Sequence, residues 1–137
     1  MTEIQRTPGD AKGRCHTVSA GEFVWTVATA GGQGNTVAEQ TQATLAQLEA
    51  NLLEAGSGKE RIIEAVVYLS DMNKKAEMDA VWCDWIPADG WPNRACVGTA
   101  LAPGDLVEIK VTALKQGSSP FIRYGPPGDA LEFLGGI

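Results

Sequence analysis

Histidine is all but absent from this 137-residue chain, with His16 the single one. A His-based triad or proton shuttle would depend on that residue alone. The three cysteines, Cys15, Cys83 and Cys96, are scattered, so no zinc-ligand spacing exists. Three is also an odd number, and free thiols in a reducing compartment fit it better than a disulfide framework. Basic residues are few: 11 Lys and Arg stand against 17 Asp and Glu, for a net charge of −6 and a pI near 4.7. A phosphate-tracking surface needs a basic stripe, so nucleic acid is not an expected partner. No apolar run approaches the ~20 residues of a membrane span. Residues 1–14 lack the apolar segment of an export signal, so a cytoplasmic protein without a membrane partner is expected. Gly31-Gly32-Gln33-Gly34 precedes a helical pattern, but no P-loop lysine follows, and phosphate binding has little support.

What is present is an ordinary globular composition, 44% hydrophobic and 20% charged. Gly21–Ala28 alternates loosely and reads as a strand. Val37, Thr41, Leu45, Leu48 and Leu52 recur at spacings of four, four, three and four, the inner face of an amphipathic helix. Asn35 or Thr36 can cap its start, and Gly56 follows its end. Ile62–Leu69 is β-branched and nearly all apolar, which predicts a buried strand. Met78, Val81, Trp82 and Trp85 mark a second helix, closed by Pro87. Arg94–Leu101 and Val107–Leu114 read as strands, and Ala102-Pro103-Gly104-Asp105 between them is a hairpin signal. A further short strand fits Arg14–Val18. Two helices cannot cover both faces of so wide a sheet, so the order predicts an α+β sheet with helices on one face and a partner subunit on the other. Residues 1–115 form the expected domain. Residues 116–137, rich in proline and glycine yet carrying Arg123 and Tyr124, form an extension.

The predicted hairpin carries the chemistry. Matching its apolar faces puts Arg94, Cys96 and Gly98 with Glu108 and Lys110 on the opposite face. Glu108 then lies across from Gly98 or Ala100, with Arg94 on the order of 13 Å farther along. A small carboxylate could lie between them. Arginine offers a carboxylate two parallel hydrogen bonds, glutamate can orient a water or act as general base, and Gly98 admits close approach. The same residues also suit a solvated face, with Arg94 an edge residue and Glu108 and Lys110 plain surface charges. Cys96 fits a small apolar filler better than a nucleophile.

Pro92-Asn93-Arg94-Ala95-Cys96-Val97, Leu101-Ala102-Pro103-Gly104 and Leu106-Val107-Glu108-Ile109 resemble the RidA (YjgF) family. Ala20-Gly21-Glu22-Phe23-Val24, the Gln40–Gly56 stretch and Val66-Val67-Tyr68-Leu69-Ser70-Asp71-Met72 match family motifs in the same order. The resemblance covers about residues 14–115. It implies a chorismate-mutase-like mixed β-sheet with two helices on one face, assembled as a trimeric barrel with sites in the clefts between subunits. It implies hydrolysis of reactive enamines and imines, such as 2-aminoacrylate, to a keto acid and ammonia, without metal or organic cofactor. Carried over, Arg94 clamps the substrate carboxylate, and the Cys96 backbone and Glu108 side chain position the attacking water. Ala28 lies in the segment that replaces a family site loop. Arg14 stands where many members have a tyrosine, and Lys110 where many have a second acid. These two cations favour a dicarboxylate substrate. A pathway-specific deaminase similar to 2-aminomuconate deaminase is one alternative reading. A non-catalytic, carboxylate-binding trimer with a regulatory or chaperone-like role is the other.

Overall fold

Every residue of the four-four-three-four pattern is buried. Val37, Thr41, Leu45, Leu48 and Leu52 form the inner face of α1 (Val37–Glu54). Of the two candidate caps, Thr36 fills the role. Its Oγ1 accepts from Glu39 N at 3.1 Å, and Glu39 Oε1 accepts from Thr36 N at 3.2 Å and Asn35 N at 3.0 Å. This reciprocal box satisfies donors that the first helical turn leaves without partners. Those backbone donors hold the Glu39 carboxyl below its usual range.

The computed structural model describes residues 2–117. Around α1 lie β1 (Ile4–Pro8), β2 (Cys15–Ala20), β3 (Phe23–Thr29), β4 (Ile62–Leu69), α2 (Lys75–Trp85), β5 (Asn93–Gly98) and β6 (Val107–Leu114). The strands form one mixed sheet in the order β1-β2-β3-β6-β4-β5. Neighbours are antiparallel except β4 and β5, which are parallel. Parallel neighbours need a crossover, and α2 supplies it. Both helices lie on one face, over a core of Val24, Leu45, Leu48, Leu52, Val67, Leu69, Met78, Trp82, Ile109 and Val111. The predicted α+β architecture with two helices on one face is therefore the one observed. β1 is an addition to it. Its residues are almost all exposed, so it has no alternating pattern to read, and Pro8 ends it at a register break on the sheet edge. Of the extension, Gln116 still bonds to the domain through Gly56 O at 2.8 Å. Residues 118–137, with Arg123 and Tyr124, lie outside the described residues.

The hairpin expected from Arg94–Leu101 and Val107–Leu114 does not form. β5 stops at Gly98 and pairs with β4, while β6 lies between β3 and β4. The turn that signalled it is real: Asp105 N donates to Ala102 O at 2.9 Å, and Gly104 has φ 89°. That turn belongs to a longer connection which steps over the end of β4. Thr99 N donates to Leu69 O at 2.9 Å on one side, and Ser70 N to Leu106 O at 3.1 Å on the other. β4 carries apolar side chains on both faces and needs strand neighbours on both edges. Interposing it between β5 and β6 meets that need, which a local hairpin would leave unmet.

One buried amide fixes the crossing. The Gln40 side chain donates to Gly34 O at 3.2 Å and Gly104 O at 3.0 Å, and accepts from Leu106 N at 2.8 Å. Gln40→Leu leaves three backbone groups without that partner and should destabilise the fold by about 2–3 kcal/mol. Thr36→Ala removes only the cap and should cost about 1 kcal/mol. Urea unfolding of the two variants checks the order, and equal costs would deny the Gln40 bridge its structural weight.

Candidate functional site

Side chains alternate across a strand, so the observed register decides which site residues meet. Ala28, Ile109, Val67 and Cys96 lie on one line across the sheet, and Thr26, Val111, Ala65 and Arg94 on the next line of the same face. This is the helix-covered face, since Ala28, Ile109, Val67, Thr26, Val111 and Ala65 are all buried. Glu108 lies on a line with Thr29, Tyr68 and Val97, and Lys110 on a line with Val27 and Val66. These point the other way. The expected grouping of Arg94, Cys96 and Gly98 with Glu108 and Lys110 is therefore corrected. Arg94, Cys96 and Gly98 share the helix side of the edge strand β5, while Glu108 and Lys110 share the open side of the central strand β6. The reason is the displaced pairing: with β4 between β5 and β6, the hairpin register that joined them does not exist.

Arg94 is the best-held of these residues. Its side chain is only 10% exposed. Its Nη2 lies 2.6 Å from Asp79 Oδ1, its Nη1 points at Met78 Sδ at 3.7 Å, and its guanidinium sits 5.2 Å from the Trp82 ring centroid. Asp79, Met78 and Trp82 all belong to α2. Lys75, one turn before Asp79, binds the second oxygen of that carboxylate at 2.7 Å. Burial opposes ionisation of Asp79, but the bonds from Lys75 and Arg94 outweigh it and hold its carboxyl below the ordinary range. Cys96, two residues along the same face, is pushed the other way. Burial raises its thiol, and Arg94 and Lys75 offset this only in part. Cys96 is thus a neutral thiol at physiological pH, which suits a wall and not a nucleophile.

Gly98 answers to a different neighbour from the one expected. A Cβ there would lie 2.5 Å from Met72 Cγ, so the space above it belongs to the Met72 side chain from the turn after β4. The remaining two residues lie on the other side of the molecule. Ala28 lines a cavity of about 570 Å³ at the end of β3, with His16, Gln33, Gln47 and Asn51. Three strand spacings, on the order of 14 Å, separate β3 from β5, and the core fills the interval. Arg14 is exposed just before β2, its Nη1 donating to Lys12 O at 3.0 Å. Arg14 and Ala28 therefore lie apart from Arg94 within one chain. Asp79 and Lys75 were missed from the sequence, where an i,i+4 pair of opposite charges on a helix looks like ordinary surface. Among the described residues no cluster of His, Cys, Asp and Glu could hold a metal ion. No helix among them is long and apolar enough to cross a membrane.

A mixed six-stranded sheet with two helices on one face is the α+β fold of the YjgF structures. Residues 14–115 match the family model described as endoribonuclease L-PSP, and the chain belongs to that family, which includes the RidA, YjgF and RutC proteins. The RutC family protein YoaB of Escherichia coli is 42% identical over 76 residues, covering 55% of this chain and 67% of the relative. The RutC family protein slr0709 of Synechocystis is 39% identical over 84 residues, covering 61% of this chain and 64% of the relative. Among solved structures, the YjgF family member NMB1025 of Neisseria meningitidis superposes with a TM-score of 0.79 at 39% identity, covering 83% of this chain and 96% of that one.

The Asp79 carboxyl gives this site a pH signature. Its folded value lies below the unfolded one, so its stabilisation is full above about pH 4 and is lost as pH falls through the folded value. Asp79→Asn should be less stable than wild type by about 1 kcal/mol at pH 7, the size of a partly exposed ion pair. The difference should shrink steadily below pH 4. Chemical denaturation across pH 2–7 measures it, and a gap independent of pH would contradict the ion-pair origin.

Proposed function

We propose that this protein hydrolyses reactive enamines or imines bearing a carboxylate, releasing a keto acid and ammonia. The observation that carries the reading is Arg94, a guanidinium held in one orientation at the sheet edge beside a neutral thiol. Arginine in that setting suits a small carboxylate, which it binds through two parallel hydrogen bonds. The chemistry asks for little more. An enamine takes up a proton at carbon to become the imine. Water then adds across the C=N bond to give a carbinolamine, and collapse of that species forms C=O and expels ammonia. The imine carbon is already electrophilic, so orientation and charge placement matter more than a strong nucleophile. Arg94 anchors the carboxylate, the Cys96 backbone lies two residues farther along the same face, and Glu108 orients the water or takes its proton.

In one chain Arg94 and Glu108 lie on opposite faces of the sheet, so this chemistry requires a neighbouring copy. The proposed assembly is a homotrimer. Its support is the open face of the sheet, where Phe23 (41% exposed), Trp25 and Val97 stand uncovered by either helix. Exposed apolar side chains in that density mark a contact surface. In such an assembly the β5 edge of one copy meets the end of β3 in the next, bringing Arg94 towards a second copy's Ala28, Thr29 and Glu108. The family model's description speaks of an endoribonuclease. A net charge of −6 opposes that activity here, because a nuclease surface must attract phosphate.

Two outcomes test the reading. Ammonia and keto-acid release from enzymatically generated 2-aminoacrylate should fall to background in Arg94→Ala. Binding of pyruvate to that variant by calorimetry should weaken by at least about 100-fold, the loss of two charge-assisted bonds. Undiminished binding would remove Arg94 as anchor, and binding without turnover by the wild type would favour the non-catalytic alternative. Light scattering at micromolar concentration should give three times the 14.5 kDa chain mass. A single-chain mass would refute the trimer.

A further inference from the structure

Hydrolysis at Arg94 leaves His16, the one histidine of the chain, without a part. A β-bulge aims its side chain. Thr17 pairs with Thr7 and Cys15 with Pro8, so His16 is an extra residue that β1 does not match. Consecutive side chains of a regular strand point to opposite faces. Here His16 Nδ1 instead lies 2.7 Å from Oγ1 of its neighbour Thr17, which is buried on the helix side opposite Thr26. His16 thereby joins the wall of the 570 Å³ cavity, with Gln33, Gln47 and Asn51. Its Cδ2 rests against Gly9, where an added Cβ would lie at 3.5 Å, which leaves the Cε1–Nε2 end of the ring for the cavity.

A chain of hydrogen bonds decides which ring nitrogen carries the hydrogen. A carbonyl can only accept, so Thr26 Oγ1 donates to His16 O at 3.0 Å and spends its single hydrogen there. Thr17 Oγ1, 2.9 Å from Thr26 Oγ1, must then donate to it and spends its own. Towards His16, Thr17 Oγ1 can only accept. Nδ1 is therefore the donor, and in the neutral ring Nε2 keeps a bare lone pair. Asn51 Nδ2 donates to Thr26 Oγ1 at 3.0 Å and Gln47 Nε2 to Asn51 Oδ1 at 2.8 Å, which ties the set to α1. Thr17, Thr26 and Asn51 are all buried, so the ring is oriented from behind by groups with little freedom to turn. Among the described residues Nε2 itself has no bonded partner.

We propose that His16 is a catalytic residue of this protein, whose Nε2 carries the proton between the attacking water and the departing nitrogen. The inference rests on the imine-hydrolysis reading, in which Arg94 of one copy approaches Ala28 of the next. Ala28 lines the same cavity as His16. As water adds to the imine carbon, Nε2 takes one of its protons and returns it to the nitrogen, which has received the C=N π pair. The product is the carbinolamine. In its collapse the hydroxyl proton reaches the nitrogen by the same route, the O–H pair becomes the C=O π bond, and the C–N pair leaves with ammonia. The ring ends neutral, as it began, and Glu108 keeps the part of orienting the water. A tautomer fixed beforehand spares the ring any reorientation before it accepts the first proton.

The test uses the full chain, with ammonia release from enzymatically generated 2-aminoacrylate and pyruvate binding by calorimetry measured side by side. His16→Asn keeps an amide N–H for Thr17 and places nothing at Nε2. Its kcat should fall by about 100-fold or more, the size of a lost proton-transfer group, while pyruvate affinity stays at the wild-type value. Imidazole added to His16→Gly should restore turnover in a saturable way, which a merely structural histidine would not show. Wild-type turnover in His16→Asn, or no rescue by imidazole, would overturn the role of His16 and leave Arg94 as anchor. If neither variant folds, the wild type decides by nitrogen NMR, since one histidine gives one ring. The neutral ring should carry its hydrogen on Nδ1, and saturating pyruvate should shift the Nε2 resonance. A hydrogen on Nε2, or an Nε2 resonance indifferent to bound pyruvate, would remove the inference. No ammonia release by the wild type would overturn the hydrolysis reading, and this inference with it.

Discussion

The parity of the β-sheet governs everything else in this molecule. A side chain's face is set by its place in the register, and a shift of one residue reverses it. Because β6 pairs with β3 and β4, its apolar set Val107, Ile109, Val111 and Ala113 lies under the helices, and Glu108 and Lys110 are sent to the open side. Because β5 pairs with β4 in parallel, Arg94 and Cys96 fall on the helix side. α2 then reaches Arg94, and it meets the guanidinium with an acid, a thioether and an indole. The division of the chemical groups between two faces follows from strand order alone.

That division leaves one face of the sheet without a cover from this chain's helices. Apolar side chains on the helix face are consumed by the core, whereas the open face keeps Phe23, Trp25 and Val97 exposed beside Glu108 and Lys110. A charged pair in the middle of an apolar field is costly to bury unless partners meet it. An assembly that covers this face must therefore answer both the aromatic side chains and the charges, which constrains the geometry of any neighbour more tightly than hydrophobic contact would.

Local patterns in the sequence revealed the elements well and their neighbours less well. The 3.6-residue period of Val37–Leu52 and the continuous apolar run of Ile62–Leu69 each have one physical solution, and both elements are where the pattern puts them. The Ala102–Asp105 turn was legible for the same reason. What no local pattern holds is that a third strand intervenes between the two strands the turn seems to join. Hydrophobic alternation states which residues share a face of one strand but not which strand lies next to it. The arginine motif was legible by resemblance. Its contact with Asp79 was not, because that contact joins a helix and a strand 15 positions apart. β1 was invisible, since an exposed edge strand carries no burial pattern.

The Gln40 amide reaches further than its size indicates. It donates to two carbonyls and accepts from one N–H, so its nitrogen and its oxygen are assigned to different ends of the same connection. Exchange of that nitrogen for oxygen, the one-atom difference between glutamine and glutamate, would keep the shape and invert the polarity, setting a carboxylate oxygen against Gly34 O and Gly104 O. The crossing over β4 is held by directionality and not by volume. A position that packs like any other long side chain is thereby closed to its nearest isostere, and the chain's path from β5 to β6 hangs on which end of one amide carries the hydrogens.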